Sequence, residues 1–197
     1  MGTTPRGRPR SFDRDAALEQ AMRLFWERGY EATSIGDLTA AMGIGAPSLY
    51  AAFGDKKTLF AEVVAHFGAR YGGFVTRALA EESTADAAVR RILREAATEY
   101  TRPECPHGCL VTSAGVNTTS AEIAALLREL RNRNIDAFAA RIQADIDAGV
   151  LSRPLDARTS ARYVGTVLQG MSQAARDGAS RAELEQVAEL ALRGWGA

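Results

Sequence analysis

The sequence predicts an all-α protein of about nine helices. Three observations carry that prediction. Apolar residues recur at spacings of three and four along most of the chain, several of these runs open at Asp or Ser and close at Gly or Pro, and no segment alternates as a half-buried strand would. The high alanine content fits, since alanine has the best helix propensity.

Leu18, Ala21, Met22 and Phe25 fall at i, i+3, i+4 and i+7, one apolar stripe of a helix over about 13–28, with Asp13 as N-cap and Gly29 as stop. A second helix opens at Ser34, which stands with Asp37 at capping-box spacing, and runs to about Met42 with Ile35 and Leu38 inward; Gly43 breaks it. The third begins near Ala46, where Pro47 is tolerated because the first turn has no intrahelical N–H bond to lose. Its Leu49 and Phe53 face inward, and it ends before Gly54. Asp55 caps a fourth helix carrying Phe60, Val63, Val64 and Phe67, weakened at Gly72 and Gly73. Helical patterns follow over about 86–100, 109–116, 121–148, 156–176 and 182–193. Pro103, Pro106, Gly149, Pro154 and Gly178 interrupt them.

Composition narrows the function classes. The 197 residues suffice for one or two units with a buried core, and 24 Lys plus Arg balance 24 Asp plus Glu. Net charge therefore suggests no polyanionic partner, and any nucleic-acid surface has to come from local clustering. Two cysteines are too few for a disulfide scaffold, no apolar run reaches the roughly 18 residues of a membrane span, and none of secretory length follows the N-terminus. A cytoplasmic protein with no membrane partner is expected. Residues 1–10 read as a flexible basic arm in which Arg6, Arg8 and Arg10 alternate with no acidic residue between them. That arm is either a solvated tail or a minor-groove contact.

Two short amphipathic helices joined by a Gly-containing turn, after one longer helix, form a helix-turn-helix whose last helix enters the major groove. The specific signal is the set Ser34, Asp37, Leu38, Ala41, Gly43, Ile44, Pro47, Ser48, Leu49, Tyr50, Phe53, Lys56 and Leu59. Over residues 12–60 this set resembles the N-terminal signature of TetR-family regulators. The resemblance implies a DNA-binding domain over 11–57 and a helical effector-binding and dimerisation domain over 58–197. It further implies that Thr33 and Ser34 meet a phosphate, that the Tyr50 hydroxyl reaches the backbone, and that Lys56 contacts a phosphate. Ala46, Pro47, Ser48, Ala51 and Ala52 occupy or flank the base-facing side. Only Ser48 among them can hydrogen-bond a base edge, whereas Ala51 or Ala52 can touch a thymine methyl. Tyr50 could instead be a core aromatic. Three positions depart from the family pattern: Ala52 where a polar residue is frequent, Lys57 where an acid is frequent, and Gly45 where a capping Ser is frequent. Lys57 faces solvent or a phosphate. The whole segment 38–54 is free of charged side chains, so the positive charge DNA binding needs has to flank it.

In the remainder, Val164, Val167, Leu168 and Met171 make one stripe, and Leu184, Val187, Ala188 and Ala191 another, with Gly165 and Gly170 permitting close approach. These stripes suit a monomer core. The family resemblance implies instead that the last two helices pair with their twins in a four-helix bundle, making a homodimer that presents two heads to one pseudo-palindromic double-stranded operator. Phe67, Tyr71, Phe74, Tyr100, Phe138 and Tyr163 are either core or the lining of a small-molecule pocket, with Cys109 a further ligand contact. Cys105, His107 and Cys109 lack the paired spacing of a zinc site, so no metal or cofactor is expected, and a Pro-Gly loop ending in a small buried cysteine is the simpler account. No catalytic constellation accompanies the two histidines, so no enzyme is expected. The function expected is a ligand-responsive repressor. A helical ligand-binding or interaction protein that keeps the fold without reading DNA is the other class.

Overall fold

The computed structural model describes residues 12–151 and 156–196; Arg6, Arg8 and Arg10 lie outside the described residues. The described residues form ten α-helices and no strand: α1 Arg14–Arg28, α2 Ile35–Met42, α3 Ala46–Phe53, α4 Lys56–Arg70, α5 Phe74–Glu81, α6 Ala85–Glu99, α7 Leu110–Ser113, α8 Ala121–Asp147, α9 Ala157–Arg176 and α10 Arg181–Gly196. The expected caps form. Asp13 accepts from the N–H groups of Asp15 and Ala16, Ser34 and Asp37 complete a capping box, and Asp55 accepts from the Thr58 N–H.

The tenth helix arises where glycines were expected only to weaken the fourth. The N–H groups of Tyr71 and Gly72 both end on the Phe67 carbonyl, and the chain then turns so tightly that a Cβ on Gly72 would sit 3.2 Å from the Phe67 ring. The helix therefore stops at Arg70, and α5 sets off anew at Phe74.

Two apolar clusters hold the molecule. The first joins α1 to α4 around Phe25, Trp26, Phe53, Phe60 and Phe67, and takes in Leu110 and Ala114 near α7 and Ile123 and Leu127 from the start of α8. It thus runs past residue 57, with Leu59, Phe60, Val63 and Val64 of α4 packed in the same core as Phe25. The second cluster gathers α5, α6, α9, α10 and the far half of α8, including Ile135, Phe138 and Ile142. α8 belongs to both.

Val164, Leu168, Met171, Leu184 and Ala191 are buried in this second cluster within one chain. Amphipathic spacing reports that a stripe needs covering, and here α6, α8 and the α9–α10 contact cover it. Of the residues expected at a dimer surface, Val167 is half-buried and Val187 is exposed; Leu190, not singled out in the sequence, is 60% exposed beside it.

Polar ties fasten the α1–α4 unit to the rest. A Glu31 carboxylate oxygen accepts from the Thr118 hydroxyl at 2.7 Å and from the N–H groups of Thr119 and Ser120 at 2.8 and 3.2 Å, just ahead of α8. Lys57 donates to Glu122 at 2.5 Å, and Arg176 of α9 donates to the carbonyls of Trp26 and Glu27 at 3.0 and 3.1 Å. The bond from Thr118, then that from the Thr119 N–H, pulls the Glu31 carboxyl below the ordinary glutamate value. A lowered folded-state value means stabilisation present above the ordinary glutamate range and lost as pH falls through the folded value. A Glu31→Gln variant should therefore be less stable than the parent at neutral pH. The gap should close in strong acid, as followed by denaturant unfolding over a pH series.

Candidate nucleic-acid interface and ligand cavity

α2 and α3 carry the candidate interface. Leu38 and Leu49 are fully buried and Phe53 nearly so, pinning α3 by one face, while Pro47, Ser48, Tyr50 and Ala51 stand out on the other. Tyr50 is 51% exposed, which removes it from the core. Gly43 closes α2 in the left-handed region at φ 67°, and Gly45 begins α3 without any side-chain cap. The N-terminus of α3 is thus left open, with partial positive charge and no competing oxygen.

The hydroxyls expected to meet phosphate are differently disposed. Thr33 is fully buried, and its hydroxyl donates to the Gly29 carbonyl at 2.7 Å, which takes it off the surface. Ser34 is exposed, but its hydroxyl accepts from the Asp37 N–H and donates to the Asp37 carboxylate, and its own N–H goes to the same carboxylate. The capping that makes α2 a helix occupies these groups.

The nearby cations are mostly engaged as well. Arg14 pairs with Glu62 and lies over the Phe53 ring, Arg28 pairs with Asp37, and Lys57, a candidate phosphate contact, pairs with Glu122. Lys56 differs: its ammonium sits 4.2 Å from the Tyr30 ring centroid with no ion pair among the described residues. Burial pushes its pKa down from the ordinary lysine value, against an opposing pull from Glu31.

A second feature lies between the two clusters. A cavity of about 340 Å³ is walled by residues of α1, α4, α5, α6, α8 and α9 and of the segment 108–112. Phe67, Tyr71, Phe74, Tyr100, Cys109 and Phe138 line it. Tyr163 does not: it is more than a third exposed, and its hydroxyl donates to the Ala191 carbonyl at 2.8 Å, tying α9 to α10. Burial pushes the Tyr100 hydroxyl well above the ordinary tyrosine value and raises the Cys109 thiol, so both face the cavity as neutral groups. The three side chains of the Cys-His-Cys segment part company. Cys105 is buried in the first cluster and raised by that burial, His107 places Nδ1 3.3 Å from the Ala175 carbonyl, and Cys109 turns to the cavity.

Known proteins resemble this chain along nearly its whole length. The family model described as bacterial regulatory proteins, tetR family, matches residues 17–63. The HTH-type transcriptional repressor ComR of Escherichia coli is 36% identical over 196 residues, an alignment covering 96% of this chain and 92% of the relative. The chain belongs to the TetR family. The repressor BdcR of the same organism is 29% identical, with 94% of this chain and 90% of the relative aligned. Among solved structures, a cysteine mutant of the TetR family transcriptional regulator CifR, complexed with 26-base-pair operator DNA, superposes with a TM-score of 0.87 at 42% identity, covering 95% of this chain and all of the other.

Measured against a TetR-family reading head, the sequence located α3 and its exposed side chains and missed much of the cavity wall. Trp26, Glu99, Arg131, Asn134 and Gln169 also line the cavity. One signal was available. Arg131 lies at i of the i, i+4, i+7 set completed by Ile135 and Phe138, a cation on the apolar stripe of α8 rather than on its wet face.

Proposed function

We propose that the protein is a ligand-responsive transcriptional repressor that binds a pseudo-palindromic operator as a homodimer, reads it with α3, and leaves it when a small molecule fills the cavity. The observation that carries this reading is the exposed face Pro47, Ser48, Tyr50 and Ala51 on a short helix pinned by Leu49 and Phe53, whose N-terminus is uncapped and which is followed by Lys56 at the start of α4. Small side chains there favour close approach, methyl contacts and shape readout over many base hydrogen bonds. Arg6, Arg8 and Arg10 add an N-terminal basic arm that tracks the minor groove. The relatives named as repressors and the operator complex of CifR support the same reading.

The homodimer forms through the outer faces of α9 and α10, where Val167, Val187 and Leu190 offer apolar surface left over from the core. Coupling runs through α4 and its C-cap, because Phe67 and Tyr71 belong both to the reading-head core and to the cavity wall. A ligand that wedges these rings apart favours a head separation unsuited to two successive major grooves, and the population shifts off DNA.

Selection of operators from random duplexes, followed by footprinting over a salt series, tests this. The expected result is a pseudo-palindrome occupied by two protomers, with affinity falling steeply as salt rises. No footprint at any salt would favour the interaction-module reading. Within the same assay, Lys56→Ala should weaken binding by a similar factor on every sequence and reduce the salt slope by about one.

A further inference from the structure

The wall of the cavity is aromatic and aliphatic over most of its extent, and among its residues it carries a single carboxylate, Glu99, and a single cation, Arg131. Glu99 is already ion-paired, its Oε1 lying 2.6 Å from Nη2 of Arg102. Arg131 has no carboxylate within ion-pair distance among the described residues, and its bond to protein is one donation from Nη1 to the Val111 carbonyl at 2.8 Å.

That arrangement is energetically incomplete. A guanidinium offers five N–H donors in a planar fork and does not give up its proton inside proteins. Burial disfavours its charge, and the neighbouring Arg128 adds to the effect. Arg91 meets Glu81, Glu82 and Glu95, and Arg94 meets Glu189, whereas Arg176, which has no acid among the described residues, donates to two carbonyls instead of one. At Arg131 the acid is missing, and the vacant side of the fork belongs to a cavity wall. Trp26 supplies a second unused donor: it lines the same cavity, and its Nε1 is buried with no hydrogen-bond partner among the described residues.

We propose that the cavity binds a small amphipathic carboxylate, the acid group received by the Arg131 fork and the apolar body lying among Phe74, Ile135, Phe138 and Leu168. This rests on the reading of the cavity as the effector site and names the chemical class of the effector. Its volume of about 340 Å³ is at the small end for ligand sites, which suits a medium-chain or phenyl-substituted acid. The acid group also reaches the regulatory connection. The Val111 carbonyl that Arg131 holds lies in α7, and the Ala114 carbonyl at the end of α7 accepts the Tyr30 N–H just past α1. A ligand that draws on Arg131 thus acts on the short helix against which α1 ends.

The test uses the full chain and titration calorimetry with hexanoate, octanoate and 3-phenylpropionate, each compared with its own primary amide. At least one acid should bind about tenfold or more tightly than its amide. Arg131→Gln should erase that preference, and Arg128→Gln should retain it. Should the glutamine variant fail to fold, Arg131→Lys keeps the charge without the fork and should lower the preference without abolishing it. Equal binding of acids and amides would overturn the carboxylate assignment while leaving the cavity a ligand site. Absence of binding by every acid and every amide would overturn the assignment together with the effector-site reading.

Discussion

A carboxylate introduced at Ala51 is expected to cost about a hundredfold or more in operator affinity while leaving the fold intact. Ala51 is exposed on α3, on the side away from the buried Leu49 and Phe53, so Ala51→Glu opens no cavity and buries no charge. Substitutions of this kind stay within about 0.5 kcal/mol in stability. Against a groove walled by phosphates, however, a new negative charge adds like-charge repulsion of several kcal/mol, and each 1.4 kcal/mol is about tenfold in binding. The same change at Ala140, exposed on α8 and distant in sequence from the reading head, serves as the control and should leave binding alone. Mobility-shift titration of both variants, with circular dichroism to establish folding, decides the matter. An Ala51→Glu protein that binds like the parent would remove α3 from the groove.

The second large effect is on stability. Gly108 has φ 79°, and a Cβ placed there would meet the Ser172 carbonyl oxygen at 2.5 Å and the Arg176 side chain at 3.0 Å. Backbone cannot yield as a side-chain tip does. The left-handed conformation costs a non-glycine residue about 1–3 kcal/mol, and overpacking a buried site about as much again. Gly108→Ala should thus lose roughly 2–6 kcal/mol of unfolding free energy by denaturant titration. The strain also has a direction. The Cys109 N–H donates to the Ser172 hydroxyl at 2.9 Å, and one turn on, Arg176 holds the carbonyls that end α1. Pushing α9 back at Ser172 therefore loosens the reading head as well as the core. A variant with parental stability would mean that the 108–112 segment gives way more easily than its packing implies.

How far the sequence disclosed this molecule depends on the kind of interaction involved. Caps and stripes are local, and so Asp13, Ser34 with Asp37, and Asp55 located α1, α2 and α4 in advance. The exposed face of α3 was legible for the same reason, since once Leu49 and Phe53 turn inward, Ser48 and Ala51 cannot. What covers a stripe is not local. Val164, Leu168 and Leu184 read equally well as a dimer surface or as one chain's core, and only the packing of α6, α8 and α10 assigns them to the core. Thr33 was misplaced because a hydroxyl ahead of a helix suits phosphate and the Gly29 carbonyl alike, and burial selected the carbonyl. The α4–α5 break hid because Gly72 and Gly73 are compatible with a weakened helix, and the Phe67 ring that leaves no room for a side chain there is a contact of the folded chain.

The long α8 carries a mechanical consequence. Its 27 residues make a rod about 40 Å long. Its far half is embedded in the second core and its first residues are tied, through Thr118 to Ser120 and Glu122, to Glu31 and Lys57. Held in this way, such a rod would turn about its end in the second core. A tilt of about 5° about that end displaces the other by about 3.5 Å, a large part of one helical turn of rise. Arg131 stands about 24 Å from that end, so on such a pivot any movement there is multiplied about 1.7-fold at the first turn of α8.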